Sequence, residues 1–276
     1  MAAAARAPPI RRSGEEIVER IASKGRAIVA MSGGEDSSLV AAFAFRALGR
    51  ASVAVTLAGP AVAGDEVARA ERVAHRIGIP HEVIRIDPLR RAEYRENTPN
   101  RCYFCRTVET EALRREGDRL GAAQYLDGVH WDDLSDARPG LRAMDEAGFD
   151  HPLLWAGWTK RDVRDAAFAL ALPNWDQPSD ACLSSRVAHG DPISNDLLAR
   201  IESAEGWLHG HGFRRVRVRT RGRSARVVVD PDEVPRLRAE PLASEVVRAL
   251  GALGFSPVEL DPVGYGATAR SPPTVG

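Results

Sequence analysis

The chain has little cysteine, no long apolar run and no excess of charge of either sign. Its three cysteines, Cys102, Cys105 and Cys182, are odd in number and too few for a disulfide framework, which leaves metal binding or catalysis as their better use. No apolar stretch approaches the roughly 20 residues that a spanning helix needs. Met1–Arg12 is rich in alanine and proline and contains no apolar segment of signal-peptide length. Those absences make the cytoplasm the expected compartment, exclude a membrane partner and leave residues 1–14 as an expected disordered tail. Lys+Arg and Asp+Glu both number 38, so global charge gives no reason to expect nucleic acid. No internal repeat is visible. What is present is ordinary: 276 residues, 44% hydrophobic and 28% charged, enough to bury a full core in one large or two smaller domains.

The apolar run Ala27–Met31 leads straight into Ser32-Gly33-Gly34-Glu35-Asp36-Ser37-Ser38. The pattern predicts a buried strand, a glycine turn and a helix from Asp36 to about Leu48. Glycine lets the backbone approach a ligand and adopt positive φ. The helix that follows aims free N–H groups and its positive dipole end into the turn, which suits a phosphate anion. The Gly-Lys-Thr of a Walker loop is missing, and with it the lysine that reaches terminal phosphates. Such a nest fits a pyrophosphate that leaves rather than a terminal phosphate that is transferred. Asp36 is placed for Mg²⁺ or for a helix cap. The plain alternative is an ordinary strand–turn–helix corner.

Further strands are expected at Ala51–Leu57, His81–Ile86 and Gln124–Leu126, with helices at Asp65–Ile77, Thr107–Leu120 and Thr159–Leu170. This alternation predicts an α/β, doubly wound parallel sheet over residues 15–172, with ligands at the carboxyl ends of the strands. Residues 173–192 form a Pro-, Asp- and Ser-rich linker loop carrying Cys182. Residues 193–270 read as a smaller α+β domain: a helix at Asn195–Leu208, strands at Phe213–Arg219 and Ala225–Val229, and a helix at Glu245–Leu253.

Cys102-Tyr103-Phe104-Cys105 is a C-x-x-C set just before a predicted helix. If Cys182 converges on it, three thiolates suit a 4Fe–4S cubane with one free iron, or zinc with His81, His130 or His189 as fourth ligand. Arginines 214, 215, 217, 219, 221, 223 and 226 crowd one hairpin. They read as a phosphate grip, as a solvated basic face or as a tRNA-binding patch. Asp132 and Asp133 follow a strand end, where a carboxylate coordinates Mg²⁺, orients a hydroxyl or caps a helix.

The Ser32-Gly33-Gly34-x-Asp36-Ser37 pattern resembles the PP-loop of the ATP pyrophosphatases, of the HUP-like fold. That resemblance implies cleavage of ATP between its α and β phosphates and adenylation of a carboxylate or carbonyl oxygen. Ser32, Gly33, Gly34, Asp36, Ser37 and Ser38 would hold the pyrophosphate end of ATP, with Mg²⁺. Three more segments make the chain similar to the LarE family of ATP-dependent sulfur transferases. They are Arg101-Cys102-Tyr103-Phe104-Cys105; Asp132-Asp133 with Arg138-Pro139-Gly140-Leu141-Arg142; and Trp175-Asp176-Gln177-Pro178 with Ala181-Cys182-Leu183-Ser184-Ser185-Arg186. Gly157 to Arg164 and Gly212-Phe213 with Val216–Arg219 extend the match.

The family resemblance implies adenylation of a carboxylate of a pyridinium mononucleotide and replacement of its oxygen by sulfur, on the way to a nickel-pincer nucleotide. In three-cysteine members, residues matching Cys102, Cys105 and Cys182 hold a 4Fe–4S cluster whose extra sulfide is the donor. In one-cysteine members the residue matching Cys182 sacrifices its own sulfur. This chain has the three-cysteine pattern. Arg217 and Arg219 are the matched substrate-phosphate residues, with Arg186, Asp133 and Arg138 completing the expected substrate set. A homo-oligomer is implied, and the sulfide source is left open. The rivals are a tRNA thiolase, an amide-forming synthetase using ammonia and a non-catalytic nucleotide-binding protein.

Overall fold

Ser13 opens the first helix with a capping box: its Oγ accepts from Glu16 N, and Glu16 Oε2 accepts from Ser13 N at 2.7 Å. The structure, a computed structural model, describes residues 11–135, 139–177 and 181–265. In chain order the elements begin with α1 (Gly14–Ala22), β1 (Ala27–Ala30), α2 (Glu35–Leu48), β2 (Ser52–Ala58), α3 (Gly64–Ile77) and β3 (His81–Arg85). There follow α4 (Ala92–Arg95), α5 (Arg101–Leu120), β4 (Gln124–Leu126), α6 (Pro139–Glu146), α7 (Pro152–Trp155) and α8 (Lys160–Ala169). The last are α9 (Asn195–Gly210), β5 (Val216–Arg221), β6 (Ser224–Val229), α10 (Val234–Leu237), α11 (Leu242–Ala252) and β7 (Val258–Leu260).

The chain divides into two compact units, one from the described residues of Met1–Pro88 and Cys102–Asp180, the other from those of Leu89–Arg101 and Ala181–Gly276. The first holds a four-stranded parallel sheet in the order β3-β2-β1-β4. Side chains alternate across β1. Val29 packs into a core with Ile17 and Ile21 of α1, Leu39 and Phe43 of α2 and Val163 of α8. Ile28 packs on the opposite face with Val53, Val55, Leu113 of α5 and Met144 of α6. Both are fully buried, and each such side chain contributes about 1.5–3 kcal/mol by leaving water. A strand apolar on both faces needs helices on both, so the sheet is doubly wound, as its alternation with helices predicts. The reversal of strand order between β1 and β4 is the switch point, where α/β sheets bind ligands.

The second unit carries the three-stranded sheet β5-β6-β7, antiparallel between β5 and β6 and parallel between β6 and β7. Its core gathers Leu198, Ile201 and Leu208 of α9 with Val216, Val218, Val227 and Leu250. Arg217, Arg219 and Arg221 fall on the face of β5 opposite Val216, Val218 and Thr220, the period of two expected of a strand. Arg223 lies in the turn beyond it.

Three elements differ from their sequence-based expectation. The helix expected from Thr107 starts at Arg101, so the C-x-x-C occupies its first turn instead of preceding it. The tail expectation covers residues 1–10, outside the described residues, and residues 11–14, which are fastened: Arg12 N donates to Ala156 O at 3.0 Å and Gly14 begins α1. The strand expected at Phe213–Arg219 is shifted to Val216–Arg221. The C-terminal stretch expected to be disordered, Ser271–Gly276, lies outside the described residues.

Candidate active site

β1 ends at the loop of the glycine motif, and the loop is closed by its own serines. Ser32 N donates to Ser37 Oγ at 3.1 Å, Gly34 N to Ser32 Oγ at 3.3 Å and Ser37 Oγ to Gly34 O at 3.2 Å. Gly33 takes φ +83°, and a Cβ there would stand 2.9 Å from Ala70 N of α3. Gly34, at φ −77°, caps α2 with its backbone, and a Cβ on it would meet only Ser32 Oγ at 3.5 Å. The first glycine is therefore demanded by the chain and the second is not, which leaves open room in front of Gly34. Asn174 pins the loop from behind, donating to Gly33 O at 2.8 Å and Ser38 Oγ at 2.9 Å. Across the switch point, a Cβ on Gly128 would stand 2.6 Å from Ser37 N. The end of β4 thus abuts the first turn of α2.

Charges gather on that turn. Lys160 Nζ donates to both Asp36 oxygens at 2.7 Å and stands 2.6 Å from Glu35 Oε1. His130 Nε2 lies 3.8 Å from Asp36 Oδ1 and 3.6 Å from Asp133 Oδ2. Burial holds the Asp36 carboxyl above the usual carboxylate range, outweighing the Lys160 ammonium on its oxygens, with the Glu35 charge adding to the rise. Of the two cap candidates, Asp132 accepts from Lys160 N at 2.8 Å, at the start of α8, and Asp133 accepts from His130 N at 3.1 Å within its own turn. Thr159 caps the same helix, as expected, in a box with Asp162. Arg138 lies outside the described residues.

In the second unit, Cys182 sits on a loop held by a buried arginine. Arg186 grips Glu205 of α9 with Nε and Nη2, both at 2.9 Å, and turns Nη1 to the carbonyls of Ala181 and Cys182 and to Ser185 Oγ. Glu205 Oε1 also accepts from Val218 N of β5 at 2.8 Å. Burial works against the Arg186 charge, and the Glu205 hydrogen bonds and charge outweigh it to raise its pKa. Arg186 is one of the expected substrate residues; in the structure its donors bond to Glu205 and to the cysteine loop. Beneath that loop, Tyr94 and Ser184 hydroxyls meet at 2.5 Å, and Arg101 donates to Ser184 O at 3.0 Å. Buried Asn97, at φ 53°, donates to Ala188 O and Asp191 O.

Cys102 is exposed and Cys105 half-buried; they are three apart on the first turn of α5, so both leave the same side of the helix. Cys105 Sγ donates to Glu109 Oε1 at 3.2 Å. None of the three cysteines is disulfide-bonded. Among the described residues, no three His, Cys, Asp or Glu side chains are gathered as a metal site. Three thiolates are the donor type that an iron–sulfur cluster takes, and Arg101, the residue before Cys102, donates to Ser184 O within the second unit. Asn174, Tyr94 and Asn97 are not singled out by motif reading, and Lys160 lies within the matched Gly157–Arg164 run without being assigned a site role there. Lys160 carries a further local signal, as the residue after the Thr159 cap.

A glycine nest at the switch point of a doubly wound sheet, without a Walker lysine, defines a PP-loop ATP-binding domain. The family model described as NAD synthase matches residues 11–114. The chain is 38% identical to an uncharacterized Synechocystis protein, over 87% of this chain and 90% of that one. It is 34% identical to pyridinium-3,5-bisthiocarboxylic acid mononucleotide synthase of Lactiplantibacillus plantarum, over 87% of each. The tRNA-specific 2-thiouridylase MnmA of Azorhizobium caulinodans is 35% identical, over 71% of this chain and 60% of that one. The chain belongs to the LarE family, ATP-dependent sulfur transferases of the PP-loop superfamily.

Proposed function

We propose that the protein adenylates a carboxylate of a pyridinium mononucleotide and replaces its oxygen with sulfur. The observation that carries the reading is the pairing of a lysine-free phosphate nest with a cysteine loop held by dedicated residues, in a chain 34% identical to a synthase of a bisthiocarboxylated pyridinium nucleotide. The Gly33-Gly34 backbone and the hydroxyls of Ser32, Ser37 and Ser38 receive the pyrophosphate end of ATP, and the N-terminus of α2 favours its charge. Asp36, at the phosphate end of the loop, is the carboxylate that would hold Mg²⁺. Arg217 and Arg219, on one face of β5, hold the substrate phosphate, with Asp133 and Arg138 completing the substrate set. A carboxylate is a poor electrophile until its oxygen becomes a leaving group, and adenylation supplies that.

Cys102, Cys105 and Cys182 would hold a 4Fe–4S cluster, which when bound supplies an already deprotonated sulfide as sulfur donor. What supports this finer reading is the three-thiol set itself, in a chain 34% identical to a synthase of a bisthiocarboxylated pyridinium nucleotide. The same reading places the protein in the cytoplasm as a homo-oligomer, with its sulfide source open. No helix among the described residues is long and apolar enough to cross a membrane.

The test is pyrophosphate release from MgATP with three acceptors in parallel. The carboxylated pyridinium mononucleotide should stimulate release, while tRNA, or glutamate with ammonia, should not. Stimulation by tRNA alone would move the assignment to the MnmA-like thiolases.

A further inference from the structure

Lys160 is one of only two lysines in a chain with 38 basic residues. Most carboxylate pairs among the described residues are made by arginine, whose planar fork matches them better; the other lysine, Lys24, pairs with Asp150. Lys160 stands against the first turn of α2, beside the glycine nest proposed to receive the pyrophosphate end of ATP. Its ammonium touches both Asp36 oxygens and approaches Glu35 on the first turn of α2, while its backbone N–H is held by Asp132 and its helix start by the Thr159 box. About a quarter of the side chain remains exposed, at 23%. Arg164 stands 3.6 Å from Glu35 Oε1 and His130 Nε2 lies 3.8 Å from Asp36 Oδ1, so each carboxylate keeps another nitrogen neighbour if the ammonium turns away. The nest lacks a lysine within its own loop, and a lysine is a point charge that rotates among acceptors without a fixed fork geometry.

We infer that Lys160, supplied from α8, is a catalytic residue that contacts the departing pyrophosphate of ATP. The inference rests on the adenylation reading. As the substrate oxygen bonds to Pα, the bond from Pα to the bridging oxygen breaks and its electron pair leaves on pyrophosphate. Lys160 neutralises the charge that grows there, and the carboxylates of Asp36 and Glu35 hold it in readiness.

The test separates pyrophosphate from the rest of ATP. In Lys160→Met, affinity for magnesium pyrophosphate and MgATP should fall about 10- to 100-fold, the value of one charge-assisted contact, while AMP binds as in the wild type. Unchanged pyrophosphate affinity overturns the inference, and so does an equal loss for AMP, which would mark a structural role. The wild type gives a second readout that does not depend on the variant folding. Acetylation mapped by peptide mass spectrometry should be slowed at Lys160 by pyrophosphate and ATP but not by AMP. Lys24, ion-paired with Asp150, is the internal reference and should not respond. Equal protection by AMP, or none by pyrophosphate, contradicts the assignment. Neither assay uses the pyridinium substrate, so either can succeed even if the proposed sulfur acceptor is wrong.

Discussion

Gly33 and Gly34 are adjacent, alike in the motif and different in what they do. Gly33 is held at φ +83° with a backbone nitrogen 2.9 Å from where its Cβ would be, so an alanine pays about 1–2 kcal/mol for the left-handed conformation and must also displace α3. Gly34 has ordinary φ and open space. Gly33→Ala should therefore lower the melting temperature by several degrees. Gly34→Val should melt within a few degrees of the wild type and yet release no pyrophosphate, because its branched side chain occupies the phosphate approach. Calorimetry with a pyrophosphate assay reads both, and normal release by Gly34→Val would remove the nest from the account. The distinction was not legible in the sequence, where the two letters are the same. Nor was the burial of Arg186: its place in the Cys182 motif pointed to substrate, but Glu205, nineteen residues on, takes its guanidinium.

Elements were legible where a local signal marks their ends. Thr159 with Asp162 announces α8, and the apolar run before the glycines announces β1. The start of α5 was missed because Cys-Tyr-Phe-Cys reads as a ligand loop and has no charged–apolar period. The inclusion of Leu89–Arg101 in the second unit goes with Asn97 bonding to carbonyls some ninety residues away, which no local pattern encodes. One contact between elements carries a pH prediction. His151, before α7, lies between Asp127 at the end of β4, 2.7 Å from Nδ1, and Asp145 of α6, 3.0 Å from Nε2. Burial opposes its charge, but the hydrogen bonds and charges of the two aspartates prevail and raise its pKa to about 9. The folded state therefore binds the proton more tightly than the unfolded chain, whose histidine titrates near about 6.5. This contribution is fully present below about pH 6.5 and is lost as pH rises through about 9. The urea midpoint should fall across that window in the wild type and fall less in His151→Gln. Equal slopes in the two proteins would contradict the clamp.

At the scale of the whole molecule, the nucleotide nest and Cys102 and Cys105 belong to one compact unit, and Cys182 with the arginine strand belongs to the other. Sequence motifs point to both halves of the proposed chemistry because phosphate and sulfur each demand particular residues. The residues that hold those motifs in place, Asn174 and Glu205 among them, are set by long-range packing. The central claim is ATP-dependent transfer of sulfur to a carboxylated pyridinium nucleotide by a protein that survives its own reaction. Its most direct test is anaerobic incubation of iron- and sulfide-loaded protein with MgATP, the pyridinium nucleotide and excess sulfide, followed by mass spectrometry of product and protein together. The account predicts a product with sulfur in place of oxygen over many turnovers, a protein of unchanged mass, and loss of both iron and turnover in Cys102→Ser, Cys105→Ser and Cys182→Ser. A single turnover that leaves the protein lighter by one H₂S, with Cys182→Ser alone inactive, would contradict it, as would anaerobic protein holding stoichiometric zinc and no iron.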